Sequence, residues 1–202
     1  MRKVHSNIVN VLLGITLLVF GSNIVRAAAL VITPSEQTVG LESPATVDIV
    51  VADPNGTIIG AFDFFVTFDP DILEFDSVTF GTSLGGPGNS LSGFIEPSAD
   101  DGLLKLNVAE LSFVNDLSSF QDGTTEISLM SITFNTKDVV GTSPLEIIGG
   151  IEPDFAFLGD ESGNEVVLTN VGSGSISSVP IPSSIWLLGS ALIGILRFKR
   201  KM

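Results

Sequence analysis

The side chains of this chain that could do chemistry are almost all carboxylates. All 23 aspartates and glutamates lie between Leu30 and Ser178, where the only bases are Lys105 and Lys137, so this region carries a formal charge of −21. The single histidine is His5, and the chain has no cysteine and no tyrosine. Without imidazole or thiolate, Ser-His-Asp and Cys-His catalysis and nitrogen- or sulfur-ligated metal sites are excluded from the middle region. Gly85-Gly86-Pro87-Gly88 is glycine-rich, but no helix pattern follows it, so it reads as a loop and not as a phosphate cradle. Two carboxylate chemistries remain. A glycosidase needs an acid pair across a cleft, and such clefts are usually lined by Trp and Tyr rings. The middle region has neither, which weighs against that reading. Calcium takes oxygen ligands from loops. Asp69 and Asp71 flank Pro70, Asp100 and Asp101 are adjacent, and Asp160, Glu161, Asn164 and Glu165 crowd one stretch. None has EF-hand spacing, and the same residues are ordinary turn formers. No catalytic, cofactor or metal residue is therefore assigned, and calcium enters only as a cation that a surface this acidic could hold. Nucleic acid is not an expected partner, because the charge repels phosphate.

The elements that would carry these groups are short runs of alternating apolar residues between turn signals, the pattern of a β-sandwich or barrel. Candidate strands are Leu30–Thr33, Ala45–Val51, Gly60–Phe68, Leu73–Phe80, Ser90–Ile95, Leu103–Ala109, Glu126–Asn135, Leu145–Ile148, Val166–Thr169 and Gly174–Ser177. Asp53-Pro54-Asn55-Gly56, Asp69-Pro70-Asp71, Asp100-Asp101-Gly102 and Gln121-Asp122-Gly123 supply turn chemistry between them. No helical periodicity reaches ten residues; at most one helical turn follows Pro70. Phe62, Phe64, Val66 and Phe68 share one strand face by period two, which places the core centre there. With no disulfide to help, stability must come from that core, and about 150 residues are enough to build one.

The two ends read as addresses. Met1-Arg2-Lys3 is followed by an apolar run from Ile8 to Phe20 and then by Ala27, Ala28 and Ala29. This order is that of a secretory signal peptide, with cleavage after Ala27 or after Ala29. At the other end, Ile185–Leu196 is apolar and precedes Arg197, Lys199, Arg200 and Lys201. Counted from Val179 to Leu196 the stretch is 18 residues, about 27 Å as a helix, enough for a bilayer core. The basic cluster behind it keeps that end cytoplasmic and puts the preceding domain outside, with Trp186 at the outer interface. The expected organisation is a signal peptide over 1–29, a β-domain over 30–177, and a linker with a membrane-spanning sorting segment over 178–202.

Two resemblances add to this. Gly60-Ala61-Phe62-Asp63-Phe64-Phe65-Val66-Thr67-Phe68, the following Asp69-Pro70, Leu73-Glu74-Phe75 and Val78 through Leu84 resemble a cohesin module, and Asp122-Gly123 before Ile127–Phe134 is similar to a later strand of that family. The resemblance implies an all-β jelly-roll sandwich of about nine strands, akin in shape to carbohydrate-binding modules. Cohesins bind dockerin modules, but no contact residue can be carried over. The tail, Val179-Pro180-Ile181-Pro182 followed by an apolar helix and the basic cluster, resembles a PEP-CTERM sorting signal, with Ile181 where Glu is commonest. That implies a Gram-negative bacterium, a transient stay in the inner membrane, processing near the prolines by an exosortase, and a cell-surface or biofilm-matrix destination with exopolysaccharide nearby. The expectation is a non-enzymatic surface protein that binds another protein or a polysaccharide. A structural matrix protein that self-associates with calcium is the alternative.

Overall fold

The structure, a computed structural model, describes residues 28–100, 102–149 and 157–180. The expected signal peptide, apart from Ala28 and Ala29, and the apolar and basic parts of the expected sorting segment lie outside the described residues. The described chain forms twelve strands and one short helix: β1 (Ala28–Thr33), β2 (Glu36–Gly40), β3 (Pro44–Ala52), β4 (Ile59–Phe68), β5 (Leu73–Phe80), β6 (Ser90–Asp100), β7 (Leu103–Ser112), α1 (Ser118–Gln121), β8 (Glu126–Thr136), β9 (Gly141–Gly149), β10 (Phe157–Asp160), β11 (Leu168–Val171) and β12 (Ser173–Val179).

Two sheets face each other. One has the order β11-β1-β3-β8-β5; the other runs β2-β12-β9-β4-β7-β6, with β10 beside the first half of β4 and β9 beside its second half. The alternation that predicted the strands is the alternation that buries them. Phe62, Phe64, Val66 and Phe68 are buried on the inner face of β4, and Val47, Ile49, Val51, Leu129, Ile132 and Phe134 close the core from β3 and β8. Rings join the sheets: Phe68 of β4 meets Phe134 of β8 at 5.0 Å between centroids, and Phe62 stacks at 6.3 Å on Phe80 of β5. Aromatic pairs at this spacing add to what their buried area contributes.

The terminal segments cross between the sheets side by side. β1 lies in the first sheet and β2 in the second, separated by Pro34 after a cis peptide bond. β11 runs parallel to β1, and β12 runs parallel to β2. Gly174 allows this close approach: a Cβ there would sit 3.0 Å from Ile32 Cγ2 and 3.1 Å from the Ser35 carbonyl.

Ten runs and about nine strands were expected, and twelve strands form. The additions are β2 and β10, together with α1. β6 continues past Pro97 to Asp100 through an irregular register between Ile95 and Ser98, which an edge strand tolerates because proline costs no ladder bond there. β12 extends through Val179, so Ser178 and Val179 belong to the sheet and not to a linker. The helical turn after Pro70 is present as a bond from Leu73 N–H to the Asp69 carbonyl at 2.9 Å.

Candidate functional site

The outer face of β6, β7 and β4 carries exposed apolar side chains. On β4 from Ala61 onward and on β7, odd-numbered residues point away from the core, while Phe62, Phe64, Leu106 and Val108 point in. The register sets these residues in rows across the sheet. Leu91 lies opposite Leu111, which lies opposite Ala61; Gly93 lies opposite Ala109, which lies opposite Asp63. The floor of small residues at Gly93, Ala109 and Ala61 is walled by Leu91, Leu111 and Ile95, forming a shallow open cavity of about 530 Å³. Leu91 and Ile95 are 65% and 67% exposed, and Leu111 is also exposed. Phe113, one residue beyond β7, adds an exposed ring at the same end. Isolated exposed leucines are unremarkable, but several on one face of a protein this acidic form a patch that binding would cover.

Polar groups at this face are fixed. Asn107 Nδ2 donates to Asp63 Oδ1 at 2.8 Å and, more weakly, to the Phe64 carbonyl at 3.4 Å. This leaves the Asp63 carboxylate oriented at the cavity wall. Below the sheet, Glu110 is buried at 3% exposure. Ser90 Oγ donates to its Oε1 at 2.6 Å, while Oε2 is buried without a partner. Desolvation raises the Glu110 pKa above the ordinary carboxylate value, and the Ser90 bond offsets part of that rise. Near the same end of the sheet, Gln121 of α1 acts as a short strand: its Oε1 accepts from Ile59 N–H at 2.8 Å, and its Nε2 donates to the carbonyls of Ile59 at 2.7 Å and Ser83 at 2.9 Å. α1 and the glycine-rich loop are thereby held against the start of β4.

The acidic groups singled out in the sequence do not converge. Among the described residues no three or more His, Cys, Asp or Glu side chains come together as metal ligands. Asp69 accepts from Asp71 N–H at 2.8 Å. Asp160 accepts from Asn164 Nδ2 at 3.0 Å and, through Oδ1, from the N–H groups of Asn164 and Ser162, both at 2.8 Å; the Asn164 side chain first and then these N–H groups hold its pKa below the ordinary value. Both are turn-forming carboxylates. The opposite sheet's outer face is polar: Thr46 pairs with Thr133 at 3.0 Å, and Ser131 Oγ donates to Asp48.

At the two ends of the domain the structure adds detail to the addressing residues. Ala28 is buried, and its N–H donates to the Val167 carbonyl at 3.3 Å; Ala29 pairs with Ala52 of β3. Val179 lies opposite Gly40, and its carbonyl accepts from Leu41 N–H at 3.1 Å. Pro180 follows directly. Ala27, Ile181, Pro182, Arg197, Lys199, Arg200 and Lys201 lie outside the described residues. Among the described residues no helix is long and apolar enough to cross a membrane.

This apolar face was not legible as a site in the sequence, because it depends on which residues the register sets side by side. The one available signal was the run Leu91-Ser92-Gly93-Phe94-Ile95, apolar yet interrupted by a glycine.

No protein-family model matches the chain, and no curated protein matches it in sequence. Its architecture matches solved cohesins. The sixth cohesin of scaffoldin B from Acetivibrio cellulolyticus, solved with a mutant Cel5 dockerin, is 22% identical, with a TM-score of 0.53 over 76% of this chain and 99% of that one. The type II cohesin A11 of Bacteroides cellulosolvens is 15% identical, with a TM-score of 0.56 over 76% and 99%. The OlpA cohesin of Clostridium thermocellum, solved in a type I cohesin–dockerin complex, is 15% identical, with a TM-score of 0.53 over 76% and 99%. The described domain therefore has a cohesin-like β-sandwich fold.

Proposed function

We propose that the sandwich is a non-enzymatic binding module displayed outside the cell, and that the trough over Gly93 on the β6–β7–β4 face takes a protein partner. The observation that carries this reading is the exposed apolar wall of Leu91, Ile95 and Leu111 around a floor with no side chain at Gly93. A partner would insert an apolar anchor there, as binding hot spots do. The charge of −21 on the Leu30–Ser178 region favours a partner with a basic rim and speeds its approach. That two of the solved relatives are held by dockerins supports a dockerin-like protein as the partner class.

The targeting expectations fit this display. Cleavage of the signal peptide after Ala27 leaves β1 whole, whereas cleavage after Ala29 removes the buried Ala28 and its neighbour Ala29, both paired in the sheet. We therefore place the cut after Ala27. The tail, read as a PEP-CTERM signal, is processed by an exosortase beyond Val179, because Val179 is part of the sheet. The protein then belongs to the cell surface or the extracellular matrix of a Gram-negative bacterium.

The test is a pull-down with residues 28–180 against the producer's secretome and its exopolysaccharide, beside a Leu91→Asp/Leu111→Asp variant that folds normally. The reading predicts recovery of a protein with a dockerin-like repeat by the unmodified domain and loss of that recovery by the variant. Recovery of glycan alone, or equal recovery by both forms, would overturn it.

A further inference from the structure

The pole at which the chain leaves the sandwich has an apolar cluster of its own. Ser178 of β12 lies opposite Gly141, the first residue of β9, and Val179 is the next residue. The connection from β8 to β9, Lys137-Asp138-Val139-Val140, therefore ends beside the point of exit. Val139, Val140 and Val179 are 46%, 60% and 37% exposed. The turn itself does not ask for valines: β-branched residues are poor turn formers, and Asn, Asp or Gly would serve better. The tip is nonetheless held in place. Lys137 N–H donates to the Ile72 carbonyl at 2.9 Å, its ammonium donates to the Pro70 carbonyl, and Gly141 packs against the end of the Ile72 side chain.

Only Pro180 to Ser184 separate Val179 from the apolar run that begins at Ile185. Even fully extended, that connection spans about 20 Å. A tether this short holds the exit pole at high effective concentration against whatever surface the run enters. We infer that, before the tail is processed, Val139, Val140 and Val179 form a lipid contact on which the sandwich rests at the outer surface of the bilayer. The inference rests on reading the tail after Val179 as membrane-inserted; with Val179 in β12, the stretch available is the 17 residues Pro180–Leu196, about 26 Å as a helix. Glu42, Asp69, Asp71 and Asp138 lie in the turns of the same pole. Their charge opposes anionic headgroups, so the partner is a zwitterionic headgroup layer into which the valines dip while the carboxylates stay in water. The trough lies toward the other pole. Along β4, Ala61 is seven residues from Phe68, about 23 Å, so the docked sandwich holds its trough at the end far from the membrane.

Because the chain has no cysteine, single-cysteine labelling tests this in the full-length protein. Val140→Cys and Leu91→Cys, each carrying an environment-sensitive dye, are reconstituted into phosphatidylcholine vesicles containing a lipid with a shallow spin-label quencher. The inference predicts at least twofold quenching at position 140, none at position 91, and loss of the quenching at 140 when Val139→Asp is added. Protein that floats with the vesicles but is quenched equally at both positions overturns the lipid contact alone. Protein that does not float with the vesicles overturns the membrane segment and the contact together.

Discussion

Replacing Gln121 with alanine removes one side chain that makes three buried or half-buried bonds: from Ile59 N–H, to the Ile59 carbonyl and to the Ser83 carbonyl. Ile59 is fully buried at the start of β4, so in Gln121→Ala its N–H and C=O lose their partner where water cannot easily replace it. Each buried group left unpaired costs about 1–3 kcal/mol. The Ser83 carbonyl is nearer solvent and recovers a water bond at little cost. The sum is a loss of about 2–6 kcal/mol, a large fraction of the 5–15 kcal/mol expected of a domain this size. Urea unfolding of residues 28–180 measures it, and the m-value should stay constant because the exposed area barely changes. Gln121→Glu is the sharper variant. Its carboxylate still accepts from Ile59 N–H but faces two carbonyl oxygens with no proton to donate. The folded state should therefore raise that carboxyl's pKa. The variant then matches the parent below the ordinary carboxylate pKa and falls behind it as pH rises through the folded-state value. A loss under 1 kcal/mol in Gln121→Ala, or a pH-independent deficit in Gln121→Glu, would refute the bridging role.

Four further outcomes follow from the geometry. Burial raises the Glu110 pKa, so its charged form opposes folding; Glu110→Gln should gain about 1–3 kcal/mol at pH 7, with the gain closing below the ordinary carboxylate pKa in urea titrations at the two pH values. A Cβ at Gly93 meets nothing within 4 Å; Gly93→Val should leave stability within about 0.5 kcal/mol of the parent while weakening partner binding at least tenfold by calorimetry. Phe64 is fully buried and stacks on Phe62 at 5.3 Å, so Phe64→Ala should cost about 3–5 kcal/mol in the same unfolding assay. N-terminal sequencing of the exported protein should begin at Ala28; a start at Leu30 would contradict the placement of the cut.

The fold was legible where each strand has one wet face and one dry face. In Thr46–Val51 and Phe62–Phe68 the apolar residues Val47, Ile49 and Val51 and Phe62, Phe64, Val66 and Phe68 recur every second position and are buried; in Ile127–Phe134 the buried residues change phase between Leu129 and Met130, where the β3–β8 register shifts. β2 escaped because Glu36–Gly40 has no buried side chain to create a pattern; it is recruited by backbone pairing with β12. β10 is four residues long and α1 is also four, too short for either period to show. The trough was illegible for another reason. Leu91, Leu111 and Ala61 are neighbours only through the register of three strands, and a register is a tertiary fact that a period-two pattern does not encode. Similarly, the orphaned oxygen of Glu110 arises from where β7 places it, since in sequence it is one glutamate among many.

Site-directed photo-cross-linking tests the central claim most directly. A photoreactive residue is placed at Leu91 in the trough and, separately, at Thr46 on the polar face of the opposite sheet, and each form of the domain is irradiated in the producer's secretome. The account predicts one discrete protein adduct from position 91 that excess unlabelled domain abolishes, and none from position 46. An adduct from position 46 alone, or equal adducts from both, would contradict it.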